Sequence, residues 1–138
     1  MKIRVLSTIA LALLLVAGCH RGESSHAGAD VPPSREFDAD LRRDLRSYFQ
    51  GAAVAYELLR NEPTQSGIAY PKYYAWVRAT TPDGAVREGA VRLSAVDRKH
   101  FEVSDFVTAD AIRANPDAVE QIFPAPLCPI IRERAHQR

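Results

Sequence analysis

Apolar residues recur at helical spacing in the first part of the chain that is rich in large side chains. Steps of three and four residues place them on one stripe of a helix. Ser34 is a residue type that caps helix N-termini, and Pro63 disfavours the helical conformation at the residue before it. The sequence therefore predicts one long amphipathic helix between these two residues. Its buried stripe consists of Phe37, Leu41, Leu45, Tyr48, Ala52, Tyr56 and Leu59.

The middle of the chain changes to strand patterns separated by turns. Residues 72–80 are rich in aromatic and β-branched side chains, and residues 81–84 have the turn sequence Thr-Pro-Asp-Gly. A second strand is predicted at 85–96, with Gly89 as a candidate bulge. A third strand is predicted at 100–107. Three successive short strands indicate an antiparallel meander.

Helix signals return in the C-terminal part. They predict a short helix at 109–113 capped by Thr108, a second at 116–123 capped by Asn115, and a last one at 126–135. The predicted fold class is α+β: a long N-terminal helix packed on one face of a three-stranded antiparallel meander, followed by short C-terminal helices. This element order is similar to that of cystatin-like and NTF2-like domains, by analogy only.

Composition and charge narrow the possible classes of protein. The 138 residues are 46% hydrophobic and 25% charged, as in an ordinary globular chain with one core. There are 18 basic and 17 acidic residues, and removal of Lys2 and Arg4 with an export signal leaves one more acid than base. Because no basic field exists, the sequence does not predict a nucleic-acid partner.

The N-terminus has the pattern of an export signal. Lys2 and Arg4 precede an apolar run over residues 5–16, which is too short to span a bilayer comfortably. The run ends in Val16-Ala17-Gly18-Cys19, which resembles the lipobox of bacterial lipoproteins. The resemblance implies that residues 1–18 are a cleaved signal peptide and that Cys19 becomes the lipid-carrying N-terminus.

The same resemblance implies a location. Lipoproteins of this family carry several acyl chains, palmitate among them, on the cysteine and on the new amino group, which anchors them stably. His20 stands where many enteric lipoproteins retained in the inner membrane have Asp. We therefore expect a protein of the cell outer membrane that faces the periplasm.

A polar segment separates the anchor from the domain. Residues 19–34 contain Gly, Ser, Ala and Pro with almost no large apolar side chain, which predicts a flexible tether. The single globular domain is then residues 35–138. After lipidation of Cys19, Cys128 has no partner in the chain, and its apolar neighbours predict a buried thiol.

Candidate catalytic chemistry is sparse. The sequence has no recognisable metalloprotease, nucleophile-elbow, phosphate-binding or dinucleotide-binding motif. His100 and His136 have no positioned partner that sequence identifies. We therefore predict no catalytic residue, no metal ligand and no cofactor.

One segment stands out as a candidate binding site. The loop and strand at 64–76 contain the only Trp and three of the five Tyr. Along a strand, Tyr73 faces one side of the sheet while Tyr74 and Trp76 face the other. One helix covers only one face, so we predict a contact surface of Gln65, Tyr70 and one member of this aromatic set. The alternative is that the C-terminal helices cover the second face and place these rings in the core.

Three functions remain open at this point. The sequence favours a membrane-anchored protein-interaction module with an envelope partner: an inhibitor, an immunity protein or an assembly factor. The second is a small-ligand carrier with a pocket between helix and sheet. A small enzyme comes third. A flat surface around Tyr70 and Trp76 favours a protein partner, and a concave one favours a ligand.

Overall fold

A computed structural model describes residues 30–51 and 53–137 and has an α+β architecture. Its sheet is antiparallel and four-stranded, with the order β1-β2-β3-β4 of a simple meander. The helices are α1 Ser34–Tyr48, α2 Ala109–Ala114 and α3 Cys128–His136, and the strands are β1 Ala53–Leu58, β2 Lys72–Thr80, β3 Val86–Val96 and β4 His100–Thr108. Two 3-10 turns, Pro116–Val119 and Ala125–Leu127, connect α2 to α3.

The predicted long helix is wrong beyond Tyr48. Gln50 and Gly51 have positive φ values of 63° and 77°, and the Gly51 N–H donates to the Arg46 carbonyl, which closes the helix. The chain then returns as β1, a strand that the prediction lacked. Its inward residues Val54, Tyr56 and Leu58 alternate at the period of a strand rather than of a helix. Ala52, also assigned to the helical stripe, lies outside the described residues.

The chain enters the domain before α1. Pro33 precedes the helix and its carbonyl accepts hydrogen bonds from Glu36 and Phe37, so Ser34 begins the helix without capping it through its side chain. Within the segment predicted as tether, Pro32 is buried and Val31 packs against the core. The predicted signal peptide, Cys19 and the tether up to residue 29 lie outside the described residues.

The predictions for the other three strands are confirmed, apart from their ends. The second strand of the sheet has the predicted bounds, the third begins one residue later than predicted, and the fourth ends one residue later. The bulge is not at Gly89 but between Arg92 and Leu93, where Ser104 is the extra residue of β4. Gly89 instead allows close approach to β4, because a Cβ there would collide with the Val107 carbonyl.

Helices cover both faces of the sheet. On one face, α1 packs Leu41 and Leu45 against a cluster that contains Tyr73, Val77 and Leu93. On the other face, α2 and α3 contribute to a second cluster of buried residues: Tyr74, Trp76, Ala90, Ala109, Ile112, Val119, Phe123, Leu127, Cys128, Ile131 and Ala135. The predicted arrangement, with a helix on one face of the sheet, is therefore wrong. The domain has three layers, with α1 on one face of the sheet and the C-terminal helices on the other.

The C-terminal elements largely follow the sequence signals. Thr108 and Asn115 cap the elements that follow them, by accepting from the N–H groups of Ala111 and Asp117. The second predicted helix is a 3-10 turn that ends at Val119 instead of residue 123. Burial of Cys128 is confirmed.

Candidate functional site

The three aromatic residues predicted at the binding surface lie in the core. Tyr73, Tyr74 and Trp76 are 4%, 4% and 6% exposed. Their alternation is as expected, with Tyr73 under α1 and the other two under α2 and α3. The Trp76 indole donates to Glu88 at 3.0 Å, so its polar group is satisfied. No member of this set forms an exposed anchor, because the C-terminal helices cover the face that α1 leaves open.

An open cleft of about 710 Å³ lies at one end of the sheet. Its walls are the start of α1 and the chain that follows β1, and the β3–β4 turn borders it through Arg98. The apolar lining includes Phe37, Leu58, Pro63 and Tyr73. Four segments that are distant in sequence thus build one concave, mainly apolar site. We call it the tether-end cleft, because the described chain enters beside it at Val31.

Three rings support the wall of the tether-end cleft. The centroid of Phe37 lies 5.1 Å from that of Tyr73 and 5.0 Å from that of Phe101, both in edge-to-face geometry. Tyr73 and Phe101 are in edge contact at 5.8 Å. Edge-to-face pairs add to the stability gained from burial. The wall is therefore preorganised rather than assembled by an incoming ligand.

The charged groups at the cleft have both signs, with Asp38 and Glu62 as acids and Arg98 as a base. Asp38 accepts from the Arg42 guanidinium at 2.9 Å and from the Tyr56 hydroxyl at 2.6 Å. The hydrogen bond from Arg42 and then that from Tyr56 lower the pKa of Asp38. Its carboxylate stays ionised at neutral pH, and Glu62 is a second acid at the rim.

The hydroxyl of Tyr73 is the polar group of the cleft wall. Burial raises the pKa of Tyr73, and the nearby charge of Glu62 raises it further. The phenol therefore stays protonated and keeps its hydrogen for donation. Within residues 30–51 and 53–137 we find no hydrogen bond to this hydroxyl. It is available to an acceptor on a molecule that enters the cleft.

The β1–β2 loop, residues 59–71, contains the remaining predicted site residues. Tyr70 is 42% exposed, and Gln65 is half-buried with its amide donating to the Ala69 carbonyl at 2.8 Å. The sequence prediction missed Ile68, which is fully exposed. The available signal was an Ile directly after the turn residues Ser66 and Gly67. Tyr70 lies on this exposed loop and is not a lining residue of the tether-end cleft.

Other chemistry-bearing groups are dispersed. His100 pairs with Glu102 at 3.2 Å on the surface, and the Cys128 thiol lies 3.7 Å from the Phe123 carbonyl oxygen inside the core. In the part of the chain that the structure describes, no three His, Cys, Asp or Glu residues are grouped to hold a metal ion. In that same part, no helix has the length and apolar character needed to cross a bilayer.

Comparisons with protein-family models, with curated proteins and with solved structures found no match to this chain.

Proposed function

We propose that the protein is a lipid-anchored periplasmic lipoprotein, held at the outer membrane through Cys19, that acts without catalysis as a protein-interaction module. Its partner is an envelope protein that places an apolar side chain in the tether-end cleft. The observation that carries this proposal is the cleft itself, an open apolar site beside the point where the chain enters. Anchor, tether and binding site then form one linear arrangement.

The geometry of the cleft suits a protein segment. An apolar wall of Phe37, Leu58 and Tyr73 removes an inserted side chain from water, which is the main favourable term in association. Asp38 is already paired with Arg42, so Glu62 and Arg98 are the charged lining groups left to a partner, and they favour a polar residue of either sign next to that side chain. The Tyr73 hydroxyl can donate to a backbone carbonyl of the partner. These features favour a segment with one apolar side chain flanked by polar groups.

The second candidate is a carrier of a small ligand. A cleft of about 710 Å³ has the size of ordinary ligand sites, and a few polar groups converge on its apolar wall. A protonated Tyr73 donor suits a carbonyl or ether oxygen of an otherwise apolar compound. Sites for small ligands bury most of the ligand surface, and an open cleft encloses a small compound poorly, which favours the interaction module.

A substitution that fills the cleft tests whether a partner or ligand binds there, and it leaves the fold intact. Asn61 is exposed and lines the cleft, so Asn61→Trp should fill it without disturbing the core. Arg87→Trp, at an exposed position near the opposite end of the sheet, is the matched control. Full-length protein with a photocrosslinking residue at Ser34, an exposed lining residue of the cleft, is expressed with no other change and with each substitution, irradiated in cells, and analysed by mass spectrometry.

We expect a defined envelope protein to be crosslinked in the wild-type and Arg87→Trp backgrounds and lost in Asn61→Trp. A small molecule that co-purifies with the protein and is lost in Asn61→Trp would favour the carrier. If the Asn61→Trp protein keeps the same crosslinked partner, the cleft is not the interaction site.

A further inference from the structure

The tip of the β1–β2 loop, residues 65–70, is a compact turn that projects an apolar side chain. Gly67 has a positive φ of 57°, and the Ala69 N–H donates to the Ser66 carbonyl at 3.1 Å. The Gln65 amide donates to the Ala69 carbonyl at 2.8 Å. These bonds fix the turn and leave Ile68 fully exposed. Tyr70 adds a ring that is 42% exposed.

The root of the loop is anchored to the sheet. Thr64 and Lys72 exchange two backbone hydrogen bonds, at 2.9 and 2.7 Å. The Thr64 hydroxyl also lies 2.5 Å from the hydroxyl of the buried Tyr74. Ile68 is therefore exposed on a loop whose base is held to the sheet by hydrogen bonds.

This loop and the N-terminal entry of the chain lie at the same end of the sheet. The Asp30 carbonyl accepts from the N–H of Arg98, in the β3–β4 turn. The Pro71 carbonyl, at the end of the loop, accepts from the N–H of Ala95, three residues before Arg98. An anchor that precedes Asp30 thus leads to the end of the domain from which Ile68 projects.

We propose that the loop tip is a second membrane contact, with Ile68 in the apolar part of the bilayer interface and Tyr70 at the level of the headgroups. The inference rests on the lipid anchor of the proposed function. Tyr is enriched at membrane interfaces because its ring is apolar and its hydroxyl is polar. The contact would fix the orientation of a domain that the anchor alone leaves free to rotate.

Size and reach favour a bilayer over a protein at this tip. A stable protein interface buries about 800 Å² per partner, more than two projecting side chains supply. A coil from Cys19 to Asp30 would span roughly 20 Å, so the anchor would keep the tip near the bilayer. Because the lipid anchor already holds the domain at the membrane, the loop tip meets the bilayer at a high effective concentration. A weak contact is then sufficient to keep the tip bound.

The charges at this end indicate an apolar contact rather than an electrostatic one. Arg98 and Lys99 are exposed in the β3–β4 turn, but Asp97 and Glu62 are exposed at the same end. Mixed charge gives little net attraction to anionic lipid. We therefore expect the same contact with neutral and with anionic vesicles.

A dye at the loop tests the proposal on the full-length, acylated protein. Ala69→Cys places a thiol next to Ile68, and Val86→Cys provides a matched exposed position, where Val86 is 49% exposed at the opposite end of the sheet. Cys128 is buried and the Cys19 thiol is blocked by the lipid, so an environment-sensitive dye labels only the new thiol. Each protein is reconstituted into phosphatidylcholine vesicles, with or without phosphatidylglycerol, that contain a nitroxide-labelled lipid as quencher.

We expect several-fold stronger lipid quenching at position 69 than at position 86, equal in both vesicle types. Adding Ile68→Ser to the Ala69→Cys protein should reduce the quenching several-fold, with unchanged Trp76 fluorescence as evidence of folding. Equal quenching at positions 69 and 86 in vesicle-bound protein would overturn the membrane contact and leave the anchor intact.

Two further outcomes separate this inference from its premise. If the wild-type protein isolated from cells carries no acyl group on Cys19 and does not float with vesicles, the proposed function and the inference are overturned together. Dye at position 69 that responds to an added envelope protein and not to lipid would reassign the loop tip to a protein partner.

Discussion

The carboxylate of Asp44 on α1 accepts a hydrogen bond from the backbone N–H of Phe101 on β4, with 2.7 Å between Oδ2 and nitrogen. This N–H lies on the outer edge of β4, where the described residues contain no neighbouring strand to provide an acceptor. On the opposite edge, the Arg42 guanidinium donates to the Val54 carbonyl of β1 at 3.4 Å. One helix thus supplies partners to both sheet edges, a common protection against unwanted strand pairing.

Replacement of Asp44 tests the importance of this edge contact. Asp44→Ala leaves the Phe101 N–H without its acceptor and removes a partner of Arg43, so we expect a loss of about 1–3 kcal/mol in the free energy of unfolding. Glu102→Ala, an exposed acid on the same strand, should cost less than about 1 kcal/mol. Urea unfolding followed by the fluorescence of Trp76, the single Trp, measures both. Equal losses would mean that the edge contact contributes little.

Gly89 should be the least replaceable of the glycines in the described residues. A Cβ at this position would lie 2.8 Å from the Thr108 Cα and still closer to the Val107 carbonyl oxygen, so β3 and β4 would have to separate. We expect Gly89→Ala to lose more than about 4 kcal/mol or to prevent folding. Gly84→Ala, with a positive φ but open space around it, should cost about 1–2 kcal/mol. Similar thermal melting of the two variants would contradict this account of β3–β4 contact.

Tyr56 should make stability depend on alkaline pH. Burial raises the pKa of Tyr56 to about 12 from 10.0, helped by its hydrogen bond to Asp38. Because the unfolded chain releases this proton first, the stabilisation is complete below pH 10 and is lost as the pH rises to about 12. The difference in unfolding free energy between wild type and Tyr56→Phe should therefore shrink across this range. A difference that stays constant in urea titrations at successive pH values would contradict the expectation.

Cys19 should be the site of lipid attachment. Cys19→Ser removes the only thiol that directly follows the predicted export signal, and the other cysteine, Cys128, is buried. We expect loss of label from a fatty-acid analogue and an uncleaved or soluble product. Cys128→Ser is the matched control and should keep the label. Incorporation of label into the Cys19→Ser protein would show that the anchor is elsewhere or absent.

The strands after residue 72 were predictable because their signals are local. Turn sequences at 81–84 and 97–99 separate segments with strand composition, and the predicted bounds differ from the observed ones by at most one residue. The first strand was not predictable in this way. Tyr56 fits the helical stripe as well as a strand alternation, and the decision comes from the positive φ at Gln50 and Gly51.

The site was less predictable because it depends on tertiary packing. Tyr74 and Trp76 are buried because α2 and α3 cover the second face of the sheet, and this packing cannot be inferred from the sequence around either residue. The bulge at Ser104 shifts the alternation of β4, so Phe101 and Phe106 face the same side of the sheet. The tether-end cleft joins residues from four segments, and only Tyr73 among its lining residues was a predicted site residue.

The contacts of α1 have a mechanical consequence for a domain that is held by its N-terminus. A force applied at the N-terminus reaches the domain at Asp30, whose carbonyl accepts from the Arg98 N–H, and then at α1. Arg42, Arg43 and Asp44 bond to β1, to the Lys99 carbonyl and to β4, so these bonds carry the load in parallel. Bonds sheared together resist force better than bonds opened one after another. If the domain is anchored at its N-terminus as we propose, these bonds would slow its unfolding under a pulling force, and the unfolding rate governs survival under load.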